Sequence, residues 1–344
     1  MAFTSNMPLS GALVALLPVL CFLTTLLYLD SYKLVKLRTV VGLVCLGAVT
    51  AIASYFVSDW LLNSDSMGFE ASIGFEAFTR YVSPVTEEIL KGAIILAMIR
   101  SHRIGFLVDA AILGFAIGSG FATVENLYFL HIFPDAGMAT WIVRGFGTAI
   151  MHGGATAIFA VLGMVMLEQK STGSGLAYLP GLVLAVLLHS AFNHLIHTPR
   201  FATLAIVLLL PILFYAAFQR SEKAVGEWLG LGFDTDTEML ELINSGRFSD
   251  SPVGQYLHTL KARFSGPVVA DLLCYLRLYT ELALRAKGIL IMRENGFKVP
   301  LDDETKAKFA ELRFLEQSIG KTGLLAMQPM LHIRHKDLWQ LFLL

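Results

Sequence analysis

The chain has 344 residues, of which 55% are hydrophobic and only 15% charged, and its mean hydropathy is +0.64. These values exclude an ordinary soluble domain and are typical of a protein with several membrane spans. A formal net charge of −1 offers no basic surface, so we expect no nucleic-acid partner. The three separated cysteines (Cys21, Cys45, Cys274) form no CxxC pair and are predicted to be buried thiols.

Charge divides the chain into two predicted domains. Residues 1–219 hold 21 of the 53 charged residues and are predicted to be a membrane domain; residues 220–344 hold 32 and are predicted to be a soluble helical domain. Apolar runs of about 20 residues can cross roughly 30 Å of hydrocarbon. Seven such runs lie near 11–29, 38–58, 84–100, 106–131, 141–167, 176–196 and 201–219.

The predicted fold class is therefore all-α: a polytopic membrane helix bundle of about seven transmembrane helices, followed by a C-terminal soluble helical domain. In that second domain, apolar residues recur at helical spacing near 267–294 and 303–319. Lys and Arg are concentrated in the loops 30–37, 100–105 and 168–175 rather than in the loops on the other side. This bias predicts an external N-terminus and a cytoplasmic C-terminus.

Four of the predicted spans contain polar groups that are costly in a bilayer and therefore usually functional. They are Glu87, Glu88 and Lys91 in "TEEILK", Glu125 and Asn126 in "FATVEN", His152 in "AIMHGGA", and His189 with Asn193 in "HSAFN". At about 1.5 Å per residue, each of the four motifs lies roughly 20–29 Å from the cytoplasmic end of its span. Because unrelated groups would scatter in depth, we predict that these four motifs converge.

Each group alone also has a structural explanation. Glu87 and Glu88 could simply occupy a helix start, where acidic residues are favoured. His152 could be a hydrogen-bonded packing residue, and His189 with Asn193, on one helix face, could bond neighbouring helices. Together, however, they supply a carboxylate base and oxyanion donors, which peptide hydrolysis needs. The sequence contains neither GxSxG nor HExxH, the signatures of serine hydrolases and zincins.

The ordered set of EEILK, FATVEN, an isolated His152 and HSAFN resembles the PrsW family of intramembrane proteases, which belongs to one superfamily with the CAAX prenyl proteases and bacteriocin-processing proteins. The resemblance covers about residues 80–200. It implies an intramembrane endopeptidase of the bacterial inner membrane whose partners are the lipid bilayer and a membrane-associated protein substrate. The first cut of a membrane-bound anti-sigma factor, on the extracytoplasmic side, is the family's example.

By the same resemblance, Glu87 activates the water, Glu88 assists or orients it, and His189 with Asn193 forms the oxyanion hole. Lys91 lies one helical turn from Glu87, and we expect it to be the counter-ion that keeps Glu87 charged.

CAAX proteases typically show FxxxH where this chain has Phe121 to Glu125, so either Glu125 or His152 would position the water. We expect no cofactor, although the carboxylates and histidines could instead hold zinc in a metalloprotease. A proton or ion relay, or a non-catalytic scaffold like that of γ-secretase in the same superfamily, are the alternatives outside peptidase chemistry. The complete set of motifs favours an enzyme.

Overall fold

The structure is a computed structural model that describes residues 9–63, 74–169, 175–194, 198–297 and 302–331. These residues are almost entirely helical, and none of them lies in a β-strand. They form two compact units. The first takes the chain up to Ser31 and from Val35 to Glu222, and the second takes Tyr32–Leu34 and the described residues from Lys223 onward.

The first unit contains the helices that carry the predicted motifs. In chain order they are α1 (Leu9–Leu29), α2 (Leu37–Asn63), a π-helix π1 (Phe78–Val82), α3 (Ser83–Arg100), α4 (Leu107–Ile132), α5 (Met138–Ile142), a second π-helix π2 (Val143–Thr148), α6 (Ala149–Gln169), a 3₁₀ turn (Gly175–Tyr178), α7 (Leu179–His194) and the first part of α8 (Pro199–Asn244).

Five stretches in the described residues are long and apolar enough to cross a bilayer: α1, α2, α4, Met138–Leu167 and α8. The protein is thus an all-helical, multi-pass membrane protein. The two remaining predicted spans are also helices, but α7 has only 16 residues and α3 carries Glu87, Glu88, Lys91 and Arg100. At 1.5 Å per residue α7 is only about 24 Å long, so the count of seven spans stays a prediction.

Helix α4 is the central helix of this unit, since 89% of its apolar stretch is buried, against 17% for α8. Glycines permit this central position by letting neighbouring backbones approach. A Cβ at Gly118 would overlap the carbonyl oxygen of His152 on α6, and one at Gly120 would overlap the carbonyl oxygen of Val44 on α2. Gly118 therefore lets the backbone of His152 lie directly against α4.

The second unit is built on the C-terminal part of α8, a 3₁₀ turn (Arg247–Asp250), α9 (Pro252–Leu260), α10 (Gly266–Glu294) and α11 (Asp303–Leu331). Helix α11 is broken at Gly320, whose φ is 64°. The core of the unit lies between α10 and α11 and includes Leu272, Tyr275, Leu276, Leu282, Leu312, Leu315 and Ile319. Buried Lys287 forms an ion pair with Asp236 in the same unit.

The prediction that the cysteines are buried was wrong, because the side chains of Cys21, Cys45 and Cys274 are all exposed. Cys21 and Cys45 belong to the apolar helices α1 and α2, on the side that does not contact other helices. In a membrane protein an apolar run need not be buried in protein, because lipid can cover it.

The predicted orientation can be tested with these cysteines. In sealed cells, native Cys274 should react with a membrane-impermeant maleimide only after permeabilisation. An Asp135→Cys variant without native cysteines should react from outside, since Asp135 is exposed between α4 and α5. Labelling of Cys274 in intact cells would reverse the topology.

Candidate active site

Glu87 and Glu88 lie in the first turns of α3, and α3 follows directly on the π-helix π1. Side chains of α7 satisfy carbonyl groups of this π-helix: the Ser190 hydroxyl donates to the Arg80 carbonyl at 2.6 Å, and the Asn193 amide donates to the Thr79 carbonyl at 3.0 Å. Single-turn π-helices inside longer helices frequently mark functional sites. The HSAFN motif therefore holds the turn that presents Glu87.

Glu88 is a buried carboxylate shared by two partners. Its Oε1 accepts a hydrogen bond from Lys91 Nζ at 2.6 Å and lies 2.9 Å from Nδ1 of His189. Only 2% of Glu88 and none of Lys91 is exposed, so each charge depends on the other for compensation. Lys91 therefore pairs directly with Glu88, and its expected role as the counter-ion that keeps Glu87 charged stays a prediction. Glu87 turns instead toward Ser83, whose hydroxyl donates to Glu87 Oε1 at 2.6 Å.

The contact between Glu88 and Nδ1 of His189 fixes the position of the proton on the His189 ring. An ionised carboxylate can only accept hydrogen bonds, so Nδ1 of His189 carries the hydrogen that faces Glu88. In the neutral imidazole the lone pair is then on Nε2, which lies 3.8 Å from Glu87 Oε2. That separation is too long for a direct hydrogen bond. It is suitable for a water molecule that donates one hydrogen to each of these two acceptors.

His152 has a polar partner on each ring nitrogen. Its Nδ1 lies 3.1 Å from Lys91 Nζ, and its Nε2 lies 2.8 Å from Glu125 Oε2. An ammonium group can only donate, so Nδ1 accepts and Nε2 carries the hydrogen on the side of Glu125. The ring also packs against Phe121 and, edge to face, against His189, at centroid distances of 4.9 and 4.7 Å.

Arg144, in π2, is a site residue that the sequence reasoning missed. One guanidinium nitrogen lies 3.1 Å from Glu125 Oε1, and Nε donates to Asn126 Oδ1 at 2.8 Å. The guanidinium carbon lies 3.6 Å from the ring centre of Phe129. A charge inside a span requires a partner, so the apparently unpaired Glu125 was the sequence signal that a cation should be nearby.

The structure brings together most of the predicted site residues. Ligand atoms of Glu87, His152 and His189 lie within 4.8 Å of one another. These three residues also line one cavity of about 1540 Å³, together with Glu125 and Asn193. The predicted convergence of the four motifs is thus present in the structure.

Glu88 has a different position from the other predicted residues. It does not line the cavity but lies behind His189, bonded to the ring. Much of the remaining cavity wall is aromatic, formed by Tyr55, Phe56, Phe75, Phe121, Tyr128, Phe129, Phe133 and Phe192. The cavity thus combines a small polar cluster with a large apolar surface, a combination typical of ligand-binding pockets.

The donor set also fits a divalent metal ion. Two imidazole nitrogens and one carboxylate oxygen are ligands of catalytic zinc sites, and a carboxylate behind a histidine, such as Glu88 behind His189, is a common support for a ligand. His189 and Glu87 have lone pairs directed at the cavity. His152 would have to release Glu125 before its Nε2 could bind an ion.

Comparison with known proteins gives one finding. A family model described as PrsW family intramembrane metalloprotease matches residues 35–217, which is just over half of the chain. Comparison with curated proteins and with solved structures gives no match. The matched residues include every predicted site residue, whereas α1 lies before them.

The Glu88–Lys91 pair makes a testable contribution to stability. Lys91→Met should destabilise the protein by about 3–5 kcal/mol, because it leaves a buried carboxylate without its partner. The double variant Glu88→Gln/Lys91→Met should recover much of that loss, since it removes both charges. Thermal unfolding of the detergent-solubilised protein measures both effects.

Lys223→Met is the matched control for this experiment. Lys223 also faces a glutamate, Glu227, but its side chain is 79% exposed, and exposed ion pairs contribute about 0–1 kcal/mol. An unfolding temperature of Lys91→Met as high as that of Lys223→Met would contradict the assigned role of the buried pair.

Proposed function

Because the chain belongs to the PrsW family of intramembrane metalloproteases, we propose that it cleaves membrane-associated proteins with Glu87 as the general base. The observation that carries this proposal is the pair of acceptors, Glu87 Oε2 and His189 Nε2, which lie 3.8 Å apart beside a large cavity. A water bound between two acceptors keeps a lone pair on its oxygen for attack on a carbonyl carbon.

In the proposed reaction Glu87 transfers a proton from the water to the amide nitrogen of the cleaved peptide bond. The water oxygen bonds to the peptide carbonyl carbon while Glu87 accepts one of its protons. Ser83, bonded to the other oxygen of Glu87, holds the carboxylate in place. Glu87 then returns the proton to the amide nitrogen as the carbon–nitrogen bond breaks, giving a new carboxyl group and a new amine.

The oxyanion hole needs a different assignment from the one that the resemblance implies. His189 has its lone pair on the cavity side, so it holds the water rather than donating to an oxyanion. We assign oxyanion stabilisation to Asn193, whose side chain lines the cavity and uses one N–H to bind Thr79. Removing one such donor typically costs about 10²–10³-fold in rate.

A metal-dependent version of this activity is the second candidate, favoured by the family description and by the donor set. Glu87, His152 and His189 would hold the ion, which would supply Lewis-acid activation of the water. The contacts of His152 favour the version without metal. Its Nδ1 faces the Lys91 ammonium, which would repel a nearby dication, and its Nε2 faces Glu125.

The proposed class of substrate is inferred from the aromatic lining of the cavity and from the membrane-spanning helices around it. An aromatic wall beside the catalytic cluster suits the apolar segment of a membrane-anchored protein, and an anti-sigma factor is the example that the family resemblance supplies. We further propose that the protein resides in the inner membrane with its C-terminus in the cytoplasm, which would put residues 220–344 there.

Glu87→Gln tests the base directly. The variant keeps the size of the side chain but cannot accept the water's proton, so cleavage should fall at least about 10²-fold. Membrane-protein fragments should be quantified by mass spectrometry of new N-termini in cells expressing wild type or variant. Peptides identified in this way then serve as substrates for the purified protein.

The control for this test is Glu76→Gln, the same substitution at a glutamate on the wall of the same cavity. Glu76 is 73% exposed and pairs with Arg80, so its loss should leave cleavage near the wild-type rate. Unchanged cleavage by folded Glu87→Gln would refute the role of Glu87 as base.

Chelation separates the two candidates. Purified protein should keep its activity after exhaustive treatment with a chelator, with far less than one zinc ion per chain by elemental analysis. Activity that is lost on chelation and restored by zinc would establish the metal-dependent candidate. In that case His152→Gln and His189→Gln should each lower the amount of zinc that copurifies.

A further inference from the structure

Arg144 is an enclosed cation that the proposed reaction does not use. Its side chain is only 11% exposed, although it lies on the cavity wall. Each side of the guanidinium has a protein contact: the carboxylate of Glu125, the amide oxygen of Asn126 and the ring face of Phe129. An arginine held on three sides is preorganised to orient a partner.

The partner is Glu125, which divides its two oxygens between two residues. Oε1 lies 3.1 Å from Arg144, and Oε2 lies 2.8 Å from Nε2 of His152. Because Arg144 lies beside one oxygen, the other oxygen stays next to the imidazole. The orientation of Glu125, and through it the position of the His152 ring, therefore depends on Arg144.

His152 passes this constraint toward the proposed water site. Its Nδ1 contacts Lys91, which bonds Glu88, and Glu88 contacts His189. The chain of contacts thus runs from Arg144 to the imidazole that faces Glu87, with no gap longer than 3.1 Å before the last step. Linked charged and polar groups of this kind polarise and orient one another.

The far end of the network is anchored on α1. Asn126, which accepts from Arg144, donates its own amide hydrogen to the carbonyl of Ala15 at 2.7 Å. The backbone of π2 touches the same helix, since a Cβ at Gly145 would overlap the carbonyl oxygen of Val14. Helix α1 precedes the residues that match the family, yet it contacts both Asn126, the partner of Arg144, and the backbone of Gly145 next to Arg144.

We propose that Arg144 is a positioning residue of the peptidase, held by α1 through Asn126 and acting on His152 through Glu125. This inference rests on the proposed function. A direct contact of Arg144 with substrate would raise KM, and a purely structural role would change only stability. A positioning role lowers kcat, and does so only while Glu125 is present.

The test compares Arg144→Met, Glu125→Gln and the double variant on one peptide that the wild type cleaves. Arg144→Met should lower kcat about 10–100-fold, as loss of a supporting partner commonly does, with KM unchanged. The double variant should be no slower than Glu125→Gln alone, because Arg144 acts through that carboxylate. Arg38→Met, which removes an exposed arginine that does not line the cavity, should match the wild type.

Multiplying effects in the double variant, or a raised KM with unchanged kcat, would overturn the proposal. Nitrogen-15 NMR of histidine-labelled protein gives a readout that does not depend on activity. The His152 signal, assigned with His152→Gln, should show the hydrogen on Nε2 in wild type, and the Nε2 resonance should shift in Arg144→Met because its contact with Glu125 changes. If Arg144→Met does not fold, Arg144→Lys replaces it in both experiments. Its changes in kcat and in the His152 signal should be smaller than those expected for Arg144→Met.

The NMR spectra of His152 also separate the positioning role of Arg144 from the role of Glu87 as general base. A shifted His152 signal in Arg144→Met together with full activity of Glu87→Gln would leave the positioning intact and refute only the proposed base. An unchanged His152 signal in Arg144→Met refutes the positioning role, whatever the outcome at Glu87.

Discussion

The buried ion pair between Glu88 and Lys91 is the interaction on which the site depends. Neither residue lines the cavity, yet each contacts one of the two histidines that do. Both charges are removed from water, and each would be costly without the other. Once paired, the carboxylate fixes the hydrogen of His189 and the ammonium fixes that of His152. One pair of residues three positions apart in a helix thereby sets the donor and acceptor pattern of the whole cluster.

Much of this could be predicted from the sequence because intramembrane charge is rare and informative. Glu125 stood out within an apolar run, and similar depths in successive spans indicated that the four motifs meet. Some helix boundaries followed the apolar runs closely: the predicted span 11–29 is observed as Leu9–Leu29, and the predicted helix 267–294 as Gly266–Glu294. The predicted span 201–219, by contrast, is part of the longer helix Pro199–Asn244. Hydrophobicity and spacing are sufficient for such features because each depends on local sequence alone.

Other features could not be predicted because the sequence permits several partners for the same residue and only tertiary packing selects one of them. Lys91 is three residues from Glu88 and four from Glu87, and both spacings permit contact on a helix. Only the packing of α3 against the two histidines selects Glu88. Arg144 lay near the predicted end of a span, where a cation is unremarkable, and nothing local linked it to a glutamate 19 positions earlier. Exposed cysteines in apolar helices likewise show that hydrophobicity does not distinguish protein contact from lipid contact.

The two π-helices, π1 before Glu87 and π2 before His152, change the helix face on which the following residues lie. A π-turn contains one residue more than the α-helical turn it replaces, so each catalytic helix is rotated by about 100° relative to the residues that precede the turn. A helical wheel drawn through Phe78 and Glu87 with uniform spacing would assign them to the wrong faces. Deleting one residue within π1 would restore a regular helix and turn Glu87 away from His189. Single-residue length differences at these two points thus alter which side chains face the cavity, whereas similar differences in a loop would be absorbed.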